Sequence, residues 1–303
     1  MLTPEQIEER RQGLGASDAA PAVGLSKWMT RYQLYREKVG EPLPERDDAA
    51  LFLEMGHALE PVALSMFSKR TGFQVSGQQT KVVDPTWPQR WVSVDAFSSD
   101  GAYVEAKSTG FADPAEWGNE ENDDEVPMPY YIQCQHGLAC TGLPHAWMPL
   151  IISNRQFRLY RIQRDDETIA LMTQQEREFW KMVVDRTPPP PCDLDDVSLR
   201  WPTNTLARVT ATEEVALALA DHRAAKELEK KAKADVEKFE LIVKQHIADA
   251  AELVDVAGNV LATWKTAKSS LVLDKERFAL EQPEMYRRYL VERPGSRRFL
   301  NKL

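Results

Sequence analysis

The stretch that decides the reading is WVSVDAF (91–97), SSDG (98–101) and AYVEAKS (102–108). Both flanks are rich in β-branched and aromatic residues and alternate in polarity, the period of a strand. The four residues between them are turn formers, so a β-hairpin is predicted. Asp95 lies near the end of the first strand; Glu105 and Lys107 lie two apart on the second. Residues two apart on a strand share a face, and the turn brings Asp95 back beside them. Two carboxylates converging on one point are costly unless a cation neutralises them. Hard oxygen donors suit magnesium or manganese, and the backbone carbonyl of Ala106 is close enough to add a ligand. A cation held there lowers the pKa of a bound water and steadies the leaving oxygen of a phosphodiester. The ammonium of Lys107 supplies charge for the attacking water or the phosphate.

Outward from the hairpin the pattern is mixed. Apolar residues at Leu51, Met55, Leu59, Val62, Leu64 and Phe67 have helical spacing, and Thr71-Gly72 closes that helix. Residues 73–83 read as a strand, 130–141 as a helix closed near Gly142, 146–152 and 156–162 as strands, and 167–184 as a helix. Four consecutive prolines (188–191) can continue neither a helix nor a sheet ladder and mark a boundary. Beyond it, residues 212–251 contain no proline or glycine and predict one or two long helices, with Thr212 as N-cap. A hairpin turning at Gly258-Asn259 and a basic tail follow. The expected architecture is α/β (α+β), a central mixed sheet flanked by helices over 1–190, with a C-terminal helical extension over 191–303.

Composition narrows the function. The chain has 303 residues, 43% hydrophobic and 28% charged, which suits a soluble globular protein of about two domains. No stretch approaches the roughly 20 apolar residues of a membrane span, and MLTPEQIEERRQ lacks the apolar core of a signal peptide. A cytoplasmic protein is expected. Cys134, Cys140 and Cys192 form no CxxC pair, which argues against a disulfide framework or a structural zinc site. His57, His136 and His145 lack the spacing of a metal-binding helix. The net charge of -9 hides segregation: residues 287–302 hold six bases against one acid, and 113–125 hold seven acids and no base. Net charge therefore does not exclude a nucleic-acid substrate.

The D-x(9)-E-x-K spacing matches the PD-(D/E)xK nuclease signature, but such spacings recur by chance. Four blocks in order carry more. RQGLGASDAAPAVGLSKW (11–28), MGHALEP (55–61), SVDAF with VEAKS, and YYIQCQHGLACTG (130–142) together resemble the YqaJ-type viral recombinase family, relatives of the phage lambda exonuclease. The resemblance implies a PD-(D/E)xK restriction-endonuclease-like core. It implies direct metal ligation by Asp95 and Glu105, a helix carboxylate at Glu60, a catalytic lysine at Lys107, and Gln133 on the attacking water or scissile phosphate, with Gln135 beside it. Gln133 and Gln135 cannot share one helix face, so Gln133 is the stronger candidate. Arg11 and Ser17 are implied to hold a DNA 5′-phosphate. Ser17-Asp18 can equally cap a helix over 19–23, and helix N-termini favour anions. Departures from the family pattern are Met55 for tryptophan, Ala96 after the metal aspartate, and Ser108-Thr109 after the lysine; none removes a ligand.

The resemblance further implies Mg2+ or Mn2+, two per site, acting in a DNA exonuclease. Its substrate would be the ends of linear double-stranded DNA, degraded 5′-to-3′ in phage-type recombination. It implies a homo-oligomer, a ring-shaped trimer, working with a single-strand annealing protein and without a membrane. An end-independent endonuclease of the same fold would present the same residues, and a non-catalytic DNA-binding recombination protein is the third class. Trp28, Trp87, Trp91 and Trp117 are candidates for either base stacking or the core.

Overall fold

A computed structural model of the chain describes residues 4–43, 49–110, 114–118, 126–153, 155–292 and 295–302. Most of the acidic run (113 and 119–125) and Arg293 of the basic tail lie outside the described residues. Contacts divide the chain into two units, Met1–Arg200 and Trp201–Leu303.

In the first unit, helices α1 (Pro4–Arg11), α2 (Ala16–Ala22), α3 (Arg31–Val39) and α4 (Ala49–Thr71) precede strands β1 (Val75–Ser76), β2 (Thr80–Val83), β3 (Trp91–Val94), β4 (Ala96–Ser98), β5 (Tyr103–Val104) and β6 (Lys107–Thr109). Then come α5 (Pro114–Trp117), α6 (Met128–Thr141), β7 (His145–Ile152), β8 (Gln156–Gln163), α7 (Asp166–Val184) and α8 (Leu194–Arg200). The sheet is mixed. β1, β4 and β5 are antiparallel neighbours, β5 and β6 lie end to end, both parallel to β7, and β8 pairs antiparallel with β7. β2 and β3 form a separate antiparallel pair. The central mixed sheet flanked by helices that the pattern predicts is therefore present.

Three predicted strands are each broken in two. Over 73–83, Gly77 (φ +59) and Gln79 (φ +55) form a turn between β1 and β2. The 91–97 strand divides at Asp95, with β3 pairing β2 and β4 pairing β1 and β5. The 102–108 strand divides at Glu105-Ala106. Burial nonetheless alternates without interruption from Trp91 to Ser98. Alternation reports which face is covered, not where the ladder partner changes, so the breaks were invisible to it.

Helices cover both faces of the sheet. Tyr103 points to the α6 side, among Cys134, Leu138, Met148 and Tyr160; its neighbour Val104 points to the α4 side, with Leu64, Phe67 and Ala96. That is the alternation of a strand. Gly137 lets α6 approach closely: a Cβ there would meet the Tyr103 hydroxyl oxygen at 2.4 Å. That hydroxyl donates to the Cys134 carbonyl at 2.8 Å. A buried polar network joins α6 to α7 and to β3. His136 Nδ1 meets Glu176 at 2.7 Å, its Nε2 meets the Trp91 carbonyl at 3.0 Å, and Arg90 reaches Glu176 and Asp84. Buried charges persist only when paired in this way. Beyond the prolines, α8 stays with the first unit, because Thr30 Oγ1 donates to Asp196 at 2.8 Å.

In the second unit, residues 213–247 form one uninterrupted helix, α9 (Glu213–Ile247), not a helical hairpin. Thr212 accepts the Val215 N–H as the predicted N-cap. β9 (Glu252–Val254) and β10 (Val260–Thr263) form the predicted hairpin, with Gly258 at φ +85. Helices α10 (Lys275–Glu281) and α11 (Pro283–Arg288) follow. In the basic tail, Arg287 pairs with Glu284 and Arg297 donates to the Trp201 carbonyl.

Gly137→Ala should lower stability by about 1–3 kcal/mol, the usual cost of overpacking. Thermal unfolding should show this as a melting point several degrees lower. An unchanged melting point would mean that the α6–β5 approach tolerates a side chain.

Candidate active site

The two strand breaks face each other, and that places the candidate residues. Where the ladder lapses, Asp95 Oδ2 accepts the N–H of Ala106 at 2.7 Å. The Asp95 carboxyl is thereby fixed across the break from Glu105. Glu105 is buried and lies on the α6 side, where Gln133 donates to its Oε1 at 2.6 Å. Lys107 Nζ donates to the same oxygen at 2.7 Å. α4 closes the opposite side with Glu60, whose carboxylate accepts the Gln79 amide at 2.6 Å. Pro61 has no N–H for the His57 carbonyl one turn back, so the helix ladder is interrupted beside the site. These groups surround an open cavity of about 330 Å³, lined among others by Ser17, Gly56, His57, Glu60, Asp95, Glu105, Ala106 and Lys107.

The electrostatics are those of a site short of positive charge. Burial, then the neighbouring charge of Glu105, pushes the Asp95 carboxyl up to about 8, with Glu60 adding to the effect and Lys107 opposing it. Burial works against the charge on Lys107, but Glu105 and Asp95 outweigh it and hold the ammonium above its ordinary range. Three carboxylates thus share one lysine. The donor set is all hard oxygen, and the raised Asp95 registers how strongly the pocket would welcome a cation, so the residues present fit a hard divalent ion. Cys192, Asp193 and Asp196 also lie close together. The Asp196 oxygens there are already taken by Thr30 and by the Cys192 N–H, which makes that cluster a joint between α3 and α8.

The two glutamines separate as helix geometry requires. Gln133 reaches Glu105; Gln135 is buried on the other side, donating to the Gln163 carbonyl and accepting the Asp165 N–H. Ser17 reaches the cavity, but it is not a cap. α2 begins at Ala16 with Gly15 as N-cap, and Asp18 accepts the Gly15 N–H at 3.0 Å. Gly15 packs on the Trp91 ring and Gly13 on the Gln89 carbonyl, so the segment lies flat on the entrance to β3.

Arg11 is not brought to Ser17. Its guanidinium pairs with Glu8 and lies over Gly40 at the end of α3. Arg10 takes the place expected of it, donating to Ser17 Oγ at 3.4 Å and to Asp18 at 3.2 Å. Successive helix residues point about 100° apart, so only one arginine of the pair can face the pocket. The buried Lys38 ammonium fixes the arrangement, donating to Asp18 at 2.6 Å and to the Arg10 carbonyl at 2.7 Å. Sequence reasoning also missed Gln79 on Glu60 and Tyr130, whose ring centre lies 5.6 Å from Lys107 Nζ. The YY pair at 130–131 was the only signal for the latter.

Residues 7–144 match the model of the YqaJ-like viral recombinase domain. The chain is 27% identical over 296 residues to the uncharacterized protein YqaJ of Bacillus subtilis (strain 168), covering 94% of this chain and 90% of that one. Among solved structures it is similar to an alkaline exonuclease (LHK-Exo) from Laribacter hongkongensis, with a TM-score of 0.48 and 20% identity over 61% of this chain and 94% of that one. It is also similar to a phage related exonuclease from Haemophilus somnus 129PT, with a TM-score of 0.45 and 12% identity over 57% and 96% of the two chains. The matched segment, a little under half of the chain, contains Glu60, Asp95, Glu105, Lys107 and Gln133.

Proposed function

We propose that this chain is a metal-dependent deoxyribonuclease that removes nucleotides from the ends of linear duplex DNA. The observation that carries the proposal is the convergence of Asp95, Glu105 and Lys107 on one cavity, with Gln133 donating to Glu105, in a segment that matches the YqaJ-like domain. Asp95, Glu105, Glu60 and the Ala106 carbonyl would hold Mg2+ or Mn2+, with two ions per site. Such a cation lowers the pKa of water and offsets charge building on the phosphodiester.

The protein's own groups divide the remaining work. Lys107 and Gln133 both donate to Glu105 Oε1, so a phosphate seated beside that oxygen gives each a second acceptor. The Lys107 ammonium stays charged at any working pH and stabilises the extra negative charge of the transition state. Gln133 is a neutral donor that orients rather than neutralises. Ser17 Oγ and the Arg10 guanidinium supply donors at the cavity edge for a terminal phosphate, Arg10 taking the role first assigned to Arg11. The reading assigns the nuclease core to 1–190, with an extension over 191–303 of which α8 returns to the core. By family resemblance it extends to 5′-to-3′ polarity, a trimeric ring, a single-strand annealing partner and a cytoplasmic setting. Among the described residues no helix is long and apolar enough to cross a membrane.

Digestion of linear duplexes labelled at either end, with and without magnesium, tests the assignment. Asp95→Ala and Lys107→Ala should each abolish cleavage while DNA binding survives; turnover in both variants removes the site. Covalently closed circular DNA should stay intact, and its cleavage would favour the end-independent endonuclease.

The phosphate role separates the two arginines. Arg10→Ala should reduce the preference for 5′-phosphorylated over 5′-hydroxyl ends about tenfold or more, as expected for a charged hydrogen-bond donor. Arg11→Ala should leave it unchanged, and the reverse result would restore Arg11.

Metal-free stability gives a further check. The Asp95 carboxyl is held up to about 8 in the folded chain, far above its ordinary value of 3.8. A raised carboxyl favours the folded state while protonated, so that contribution is present below pH 4 and is lost as pH rises towards 8. In EDTA, the melting point of Asp95→Asn should therefore gain on wild type between pH 4 and 8, and magnesium should narrow the gap. A gap independent of pH would show that Asp95 is not the strained carboxyl.

A further inference from the structure

Trp28 exposes 49% of its surface at the edge of the first unit. A lone exposed aromatic ordinarily means nothing. This one is rooted. Its ring lies on Tyr130, with centroids 5.3 Å apart and planes tilted by 39°. Tyr130 lies on buried Trp117 at 5.3 Å, and Trp117 on Tyr160 at 5.8 Å. The Tyr160 hydroxyl donates to the Trp117 carbonyl at 2.9 Å, which locks the base of the column into the core. The loop carrying Trp28 is tied down as well, since Ser26 Oγ accepts both the Trp28 and the Met29 N–H at 3.2 Å. Lys27 pairs with Glu116 next to Trp117.

The column also touches the candidate active site. Lys107 Nζ lies 5.6 Å from the centre of the same Tyr130 ring. The exposed indole is therefore one ring removed from the lysine, rigidly held, with its free surface open to solvent. A phosphodiester seated at Lys107 carries a base on either side of it. A base at a duplex end that is being cut must leave its stack, which is costly unless a π-surface receives it. The indole ring is the largest such surface a protein has, and stacking on it does not depend on base identity.

We propose that Trp28 is a base-stacking platform: it receives an unstacked nucleobase within a few nucleotides of the scissile phosphate and so draws a frayed end into the site. This deepens the nuclease reading above and rests on it. The platform is sequence-tolerant, and its effect falls on substrate binding rather than on the chemical step.

The test uses the full chain with magnesium and duplexes carrying one abasic residue at each of the first four positions of the cleaved strand. Trp28→Ala should raise KM on intact duplex about tenfold, the scale of a single base–aromatic stack, with kcat little changed. Trp28→Phe should keep most of the affinity. At one position the abasic residue should raise the wild-type KM by a similar factor and leave that of Trp28→Ala unaltered, because ring and base are partners in one contact. Losses that multiply at every position would overturn the platform, as would an intact-duplex KM indifferent to Trp28→Ala. The same comparison read as duplex binding by fluorescence anisotropy tests the platform even if the chain cuts nothing. A wild-type chain that cleaves no duplex defeats the nuclease reading instead.

Discussion

One hydrogen bond organises the site: the Asp95 carboxylate accepting the N–H of Ala106 at 2.7 Å. Opposite this pair the sheet has no regular ladder. β3 has turned away to β2, and β5 has given way to β6, so the Ala106 N–H would be orphaned without a side-chain acceptor. Asp95 satisfies it and is itself anchored. The interruption costs ladder bonds, yet Glu105 and Lys107 still share a face and their side chains meet at 2.7 Å. A continuous hairpin would also have put them on one face. It would not have set an aspartate against the break with its second oxygen available.

The candidate site residues were legible because their placement is local. Asp95, Glu105 and Lys107 fall within one strand–turn–strand, where a period of two and a four-residue turn already imply proximity. Helix ends were legible for a similar reason: Gly72 and Gly142 adopt positive φ, and Thr212 caps with its own hydroxyl. What stayed hidden depends on partners distant in the chain. The break at Asp95 reflects β2 on one side and β1 with β5 on the other, which claim separate halves of what reads as one strand. The choice between Arg10 and Arg11 depends on Lys38, twenty residues beyond Asp18, holding that carboxylate in place. No pattern within EERRQGLGASD contains that information.

The network of His136, Glu176, Arg90 and Asp84 shows how distant parts are brought into register. His136 sits one helical turn beyond Gln133 on α6, and both its nitrogens face acceptors, the Glu176 carboxylate and the Trp91 carbonyl. Burial disfavours the imidazolium, but Glu176 outweighs it and holds the ring protonated. The Trp91 N–H in turn donates to the Leu14 carbonyl at 3.0 Å, and the Leu14 N–H donates to the Gln89 carbonyl at 2.7 Å. One buried cation therefore ties the helix carrying Gln133 to the strand entrance on which the Ser17 segment rests. Such a network is costly if half satisfied and specific when complete.

The same accounting sets the cavity apart from the rest of the unit. Among the described residues, most buried acids elsewhere face bases, Asp18 with Lys38 and Arg10, Asp84 with Arg90, Glu176 with His136, while Asp196 is met by neutral donors. At the cavity, Glu60, Asp95 and Glu105 face a single lysine. A structural cluster of this composition would be expected to lose a carboxylate or gain a base, since either change relieves repulsion at no cost to the fold. The imbalance makes physical sense where the missing positive charge arrives with a ligand, because a binding site must be unsatisfied before it binds. Its confinement to the one cavity lined by Ser17 and Lys107 is what separates this cluster from an ordinary surface patch of acids.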